Sequence, residues 1–487
     1  MEEIAAPFAG IIVLAIWFAG FADWRRMVKW LIYFQPFVGI PVLLSGHNPL
    51  ALLAKDLVFF FPMYISLFLL HPKDLKNVHV PNPVWMALAL FSFIVLVQCL
   101  NPAIPNIFVG VLGTKVWLLY MPLVFAAGAY INTQEDHVKL LRTMCVIAVV
   151  PCAVGLMEWF FAAAFGYQSV MDQIYGSEAQ SVTQGFNTFD YGGQFFRIPS
   201  TFPFSTQYFG FLQSMVMLAF IWMSIETDWK WKKNAKLIFY FIVCASFLCG
   251  SRAAYVFIPM LIGLMYIFDG RVKGFLAGIF VVPVLVYVML SLGGVDPLSV
   301  LTDTSNLTSG YSDTFILDSP IRALEMVPFG MGTGMNTGAA RYLFPGGILP
   351  TTALPFNFES YYTKAIVELG VPGLLSYFMI YAAIFFGGMQ VRSRLRDRGL
   401  KTAAACYTVF FLFLAVENIK GWVVDQDPVN VYIWLFAGFL FKLPYLERAK
   451  APARQPAPVP GPKTLRPAFG YRLPPALARR PTPRRPE

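Results

Sequence analysis

The sequence is poor in charge, in histidine and in the residue groupings that hold metals or nucleotides. Only 13% of its 487 residues are charged while 57% are hydrophobic, a balance that excludes one or two soluble domains of this length. It has 4 histidines and no zinc-binding pair among them, no glycine-rich phosphate loop followed by a basic residue and a hydroxyl, and no internal repeat. Gly332 and Gly334 approach a dinucleotide-binding pattern but follow no strand and read as turns. The six cysteines, Cys99, Cys145, Cys152, Cys244, Cys249 and Cys406, lie in or beside apolar runs without paired metal spacing or a compact secreted framework, so they read as small buried residues. Neither a metal nor a cofactor is expected.

What the chain does have is long apolar runs. A span needs about 20 mainly apolar residues to cross a hydrocarbon core of about 30 Å, which gives about thirteen spans here. They fall near 4–22, 30–45, 50–70, 83–100, 107–131, 138–165, 204–225, 237–251, 253–268, 274–292, 361–389, 402–418 and 428–443. Backbone groups in lipid must be satisfied within the segment, and nothing alternates like a barrel strand, so each span is expected to be helical. The fold class is therefore an all-α integral membrane protein with a large outward-facing loop of short helices between spans ten and eleven. Glu2 and Glu3 stand where a signal peptide would be basic, and no small-residue cleavage site follows, so the first span is expected to remain.

Charge sets the expected orientation. With the N-terminus outside, 18 of the 37 lysines and arginines fall in inner segments such as Lys230 to Lys236 and Arg392 to Lys401, and 11 more follow Phe441. The C-terminus is then cytoplasmic. The membrane domain is expected over 1–445, and 446–487, basic and rich in proline and alanine, reads as a disordered cytoplasmic tail touching anionic lipid. No folded nucleic-acid motif accompanies it.

Eight basic residues remain for the outer face: Lys55, Lys115, Arg197, Arg252, Arg322, Arg341, Lys364 and Lys420. Arg252 stands out within the apolar stretch from Leu237 to Phe268, where a mid-bilayer arginine costs about 3 kcal/mol on insertion scales. The topology moves it to the tip of a helical hairpin at the outer interface, where its fork suits capture of a phosphate or carboxylate. Two outer segments, 166–203 and 293–359, are too long for turns, and such loops on a rigid scaffold are usually functional. Their aromatics Tyr167, Tyr175, Phe186, Phe189, Tyr191, Tyr311, Tyr342 and Phe344 are expected mainly to pack the loops, with stacking on sugar faces as the functional alternative.

Four segments in order resemble a family. The run Asn357-Phe-Glu-Ser-Tyr-Tyr-Thr-Lys-Ala-Ile-Val-Glu-Leu-Gly-Val-Pro-Gly-Leu-Leu is similar to the closing segment of O-antigen ligases and the related O-antigen or exopolysaccharide polymerases. Gly250-Ser-Arg-Ala-Ala resembles the family's Ser-Arg, Arg197-Ile-Pro-Ser-Thr-Phe-Pro-Phe its upstream arginine motif, and Arg322 with Pro328-Phe-Gly-Met-Gly-Thr-Gly its loop pattern. The resemblance covers mainly 195–380. Where ligases of the family carry a histidine, this chain has Glu359, which favours a polymerase or a divergent transferase over a lipopolysaccharide-core ligase.

The resemblance implies a metal-independent membrane glycosyltransferase of the bacterial cytoplasmic membrane. It would move a glycan from undecaprenyl pyrophosphate at the outer leaflet onto an acceptor sugar hydroxyl. Its partners would be the lipid-linked donor glycan, the acceptor glycan, membrane lipids and other polysaccharide assembly and export proteins. The leaving pyrophosphate needs its charge stabilised, a role this reading gives to Arg252, then Arg197 and Arg322, with Arg341 a lesser candidate. Glu359 would be the general base. Glu368, about two and a half turns further along the helix, is expected to make a buried interhelix hydrogen bond. Glu158, Glu417 and Lys420 stay open between lining a donor cavity and lying at the interface. The alternatives are ligation to another acceptor, a lipid-linked sugar transporter or flippase, and a noncatalytic assembly scaffold.

Overall fold

The computed structural model describes residues 13–45, 55–166, 196–271, 318–355 and 360–450, with isolated positions between them. Among these residues the protein is 80% helical and has no strand. In chain order the helices are α1 (Val13–Ala22), α2 (Trp24–Phe34), α3 (Gly39–Leu44), α4 (Asp56–Leu70), α5 (Asn82–Cys99), α6 (Ile107–Tyr130) and α7 (Gln134–Phe165). There follow α8 (Ser205–Ile225), α9 (Trp229–Leu248), α10 (Ala254–Asp269), α11 (Asp318–Met326), α12 (Tyr361–Arg394), α13 (Arg398–Glu417) and α14 (Val429–Lys450).

Seven of these are long and apolar enough to cross a membrane: α5, α6, α7, α8, α12, α13 and α14. Each starts within about four residues of a span expected from hydropathy. The count of thirteen is not reached. The expected span 30–45 is instead two short helices. In α2 the residues Trp24, Met27, Val28, Leu31 and Ile32 make a buried stripe at helical spacing, with Arg25, Arg26 and Lys29 off it, which marks an amphipathic helix. Pro36 and Pro41 then interrupt the chain, since neither can donate a backbone hydrogen bond. The stretch 50–70 is described continuously as a helix from residue 55, much of it π-helical, and α10 has 16 residues, about 24 Å of rise. The first half of α9 carries Lys230, Lys232, Lys233 and Lys236. Residues 1–12, most of 272–317, and 451–487 lie outside the described residues, and the expected span 274–292 goes with them.

Burial separates a central group from a perimeter. The apolar windows of α8, α14 and α13 are 89%, 83% and 72% buried, against 33–44% for α5, α6, α7 and α12. The perimeter helices leave Trp85, Met86, Phe93 and Phe160 exposed, as lipid-facing side chains would be. The six free cysteines are buried or, at Cys244, half-buried, in line with small apolar packing residues.

Helix starts follow local capping chemistry. Thr133 and Asp136 exchange reciprocal hydrogen bonds at the head of α7, and the side chains of Asn106, Asp228, Ser360 and Asp397 cap α6, α9, α12 and α13. Ion pairs and caps tie one end of the bundle, where Arg142 meets Glu226 at 2.8 Å and the backbone of Arg396 donates to Glu447 at 2.7 Å. The opposite end is bound by the Tyr361 amide donating to the Asn418 carbonyl at 3.1 Å, and it carries the glycine-rich segment 328–337.

Candidate functional site

Two of the four motifs meet through their backbones. The Ile198 amide donates to the Cys249 carbonyl at 3.1 Å, laying the Arg197 segment along the turn that leads to Arg252. Gly250 sits at φ 77°, and a Cβ there would lie 1.8 Å from the Phe196 carbonyl oxygen, so only glycine allows this approach. Arg197 and Arg252 are both half-buried. The segment is pinned further on: the Ser200 amide donates to Glu158 at 2.8 Å, the Ser200 hydroxyl to the Pro151 carbonyl at 2.7 Å, and Thr201 to the Pro36 carbonyl at 2.5 Å. Ser200 adopts φ 55°, a left-handed conformation rare outside glycine. Glu158, left open in sequence, is 2% exposed and serves this anchor.

The other two motifs also meet, by a break in α12. Pro372 has no amide to offer the Glu368 carbonyl, and Gly370 leaves the helix at φ 71°, ψ −172°. The carbonyls of Val367 and Glu368 are thereby freed, and Met331 and Gly332 donate to them at 2.7 and 3.1 Å. The Val371 amide turns to the Pro328 carbonyl at 2.8 Å. The glycine-rich segment thus completes the hydrogen bonding of an interrupted helix.

The Glu368 side chain makes the interhelix bond expected of it, and more. Its Oε2 accepts from Trp117 Nε1 on α6 at 2.7 Å, and Oε1 accepts from the Asn336 amide at 2.8 Å and the Thr337 hydroxyl at 2.9 Å.

The remaining predicted residues are distributed differently. Arg322 is 47% exposed, pairs with Asp318 one turn back on α11 at 2.8 Å and donates to the Pro355 carbonyl at 3.4 Å. Arg341 is exposed, donates to Tyr342 Oη at 2.9 Å and stacks 4.9 Å from that ring. Both are therefore engaged within the loop. Glu359 lies outside the described residues, as do Tyr167, Tyr175, Phe186, Phe189, Tyr191 and Tyr311. Phe344 packs with Val109, Met335 and Ala340, the packing role expected of most loop aromatics. Glu417 is buried and accepts from Gln213 at 2.7 Å.

A group that sequence reasoning missed is a set of lysine–aspartate pairs at the same end of the bundle, in which Lys55, Asp56 and Lys364 are buried and Lys115, Asp425 and Asp427 half-buried. Lys55 pairs with Asp427 and lies 3.6 Å from Asp56, Asp56 pairs with Lys115, and Lys364 pairs with Asp425. Tyr120 joins them, accepting from Lys55 at 2.9 Å and donating to Asp56 at 3.0 Å. Lys364 also faces the rings of Trp422, Trp117 and Tyr361 at 5.1, 5.3 and 5.8 Å. The three lysines were among the eight outer basic residues, and a count of acids at the same helix ends was the available signal. Ionisable groups placed this way are expensive, and such expense usually marks function.

Taken together, this end of the bundle offers an arginine pair, a braced glycine-rich loop and a neutral network of paired charges. Among the described residues no group of three His, Cys, Asp or Glu side chains could share a metal ion. Compared with protein-family models and with curated proteins, the chain matches none.

Proposed function

We propose that the protein is a membrane glycosyltransferase that polymerises a lipid-linked glycan at the outer face of the bacterial cytoplasmic membrane. The donor is a glycan on undecaprenyl pyrophosphate, and the acceptor is a sugar hydroxyl on a second lipid-linked glycan; ligation to a different acceptor is the nearest variant. The observation that carries this reading is the junction of the Arg197 segment with the Gly250-Ser-Arg252 turn. Two half-buried arginines on adjoining stretches of backbone suit a leaving pyrophosphate, whose charge grows as the glycosidic bond breaks. Glu359 takes the acceptor proton in this scheme, while Arg322 and Arg341 contact the donor from the loop.

The test is chain growth by purified protein supplied with lipid-pyrophosphate oligosaccharide. Arg252→Lys keeps the charge and loses the bidentate fork, so transfer is expected to fall about a hundredfold with membrane abundance retained. Unchanged transfer in Arg252→Lys, or full polymer output in Glu359→Gln, would remove those residues from the mechanism. The interrupted α12 and the buried ion pairs favour a second reading, a lipid-linked sugar flippase. Movement of the glycan across the bilayer without new glycosidic bonds would select it.

A further inference from the structure

Beneath the connection between α13 and α14 lies a cavity of about 30 Å3, walled by Trp117, Tyr361, Tyr377 and Trp434, with Asp425 and Asn430 as its polar members. Asn430 is 7% exposed, and its Oδ1 has no hydrogen-bond partner among the described residues. A buried acceptor in that state calls for a donor, and the cavity it lines is where one can come from.

The connection that roofs the cavity is held by two ion pairs, Lys364 to Asp425 and Lys55 to Asp427. The lysines belong to helices and are 0% and 3% exposed, whereas Asp425 and Asp427 are 14% and 21% exposed. The connection therefore supplies the more exposed partner of both pairs, while Lys115 on α6, 25% exposed, is a second accessible edge of the network.

We propose that this cavity is a subsite for one pyranose ring of the acceptor glycan, an inference that rests on the transferase reading above. A sugar carries hydroxyl donors on its rim and C–H groups on its faces. The rim would donate to Asn430 Oδ1 and Asp425, and a face would lie against Trp117 or Trp434. A lipid chain has no donor for either acceptor, and a phosphate would bring negative charge to Asp425. At its present size the cavity admits only water. The sugar enters as the connection lifts, its hydroxyls donating to Asp425 beside Lys364, whose ammonium keeps its carboxylate and its three aromatic rings.

The experiment is a fluorescence titration of the purified full-length protein in nanodiscs with methyl glycosides of glucose, galactose, mannose, N-acetylglucosamine and glucuronic acid. At least one is expected to change tryptophan emission saturably. Asn430→Ala should weaken that binding three- to tenfold, roughly the effect of one neutral hydrogen bond. Asn430→Ser, which keeps a short acceptor, should fall between and serves if the alanine protein does not fold. No saturable binding by any of the five, or wild-type affinity in the variants, overturns the subsite. Chain growth alongside wild-type affinity in Asn430→Ala would sink the subsite and leave the transferase standing. Asn430-dependent sugar binding without glycan transfer would do the reverse.

Discussion

Replacing Glu368 by glutamine tests the brace between α6, α12 and the glycine-rich loop. All three neighbours of this carboxylate are donors: Trp117 Nε1 at 2.7 Å, the Asn336 amide at 2.8 Å and the Thr337 hydroxyl at 2.9 Å. A glutamine that keeps its oxygen toward Asn336 and Thr337 turns its NH2 group onto the indole N–H. A buried donor left without an acceptor costs about 1–3 kcal/mol, and hydrogen bonds to a charged group exceed neutral ones by about 1 kcal/mol each. With two bonds kept, the loss should therefore be about 3–5 kcal/mol, less whatever is regained by no longer burying a charge. That offset cancels in a double-mutant cycle with Trp117→Phe, which removes the donor and keeps a ring. The double variant is expected to cost less than the sum of the singles by about 1–2 kcal/mol. Unfolding in mixed micelles of rising dodecyl sulfate fraction, followed by far-UV circular dichroism, gives the four free energies. Additivity within about 0.5 kcal/mol would refute the brace.

Two further outcomes follow from local geometry. Gly250→Ala places a Cβ 1.8 Å from the Phe196 carbonyl oxygen at φ 77°, so the junction must separate; membrane abundance or thermal unfolding temperature should drop, and wild-type values for both would contradict the described approach. At the opposite end of the bundle, a hydrogen bond from Trp24, with Arg25 beside it, holds the Asp74 carboxyl below its usual range. Burial pushes Glu226 up, but hydrogen bonds from Arg142, Trp222 and the Asp228 amide outweigh it and leave that carboxyl lowered as well. Carboxylates depressed by folding contribute stability above their unfolded pKa, about 4, and lose it as pH falls through the folded values. Unfolding temperature should thus decline below about pH 4, less steeply in Asp74→Asn; identical slopes would remove Asp74 from the account.

The seven long helices were legible because hydropathy and length decide them almost alone. The expected span 30–45 shows the limit of that reasoning. Its mean hydropathy hides Pro36 and Pro41, and its first residues belong to the amphipathic α2, whose Arg25, Arg26 and Lys29 stand before the window. Gly370 and Pro372 could have been read as a break, since proline in a helix interior strips one carbonyl of its partner, yet the hydropathy of 361–389 runs straight through them. The Arg197 and Gly250-Ser-Arg252 motifs were visible as motifs, but their contact bridges 51 residues from Ile198 to Cys249 and depends on tertiary structure. The ion pairs were harder still. Lys55 and Lys364 were singled out as outer cations, but their partners lie 372 and 61 residues away, and no local pattern announces them.

The break in α12 also constrains which part of this end can move. Carbonyls freed within an apolar bundle must find donors, and here Met331 and Gly332 supply them. Lifting the glycine-rich segment would leave the Val367 and Glu368 carbonyls bare while also stripping the Glu368 side chain of Asn336 and Thr337. Its displacement therefore costs several hydrogen bonds at once. The connection between α13 and α14 is tied differently: besides the Tyr361 amide on the Asn418 carbonyl, Lys55 and Lys364 hold it through side-chain ion pairs. This end of the bundle thus combines a segment whose movement breaks backbone hydrogen bonds with a connection held largely by side chains, so opening falls first at the connection. Under the transferase proposed above, an opening that admits an acceptor would fall at the connection rather than at the glycine-rich segment.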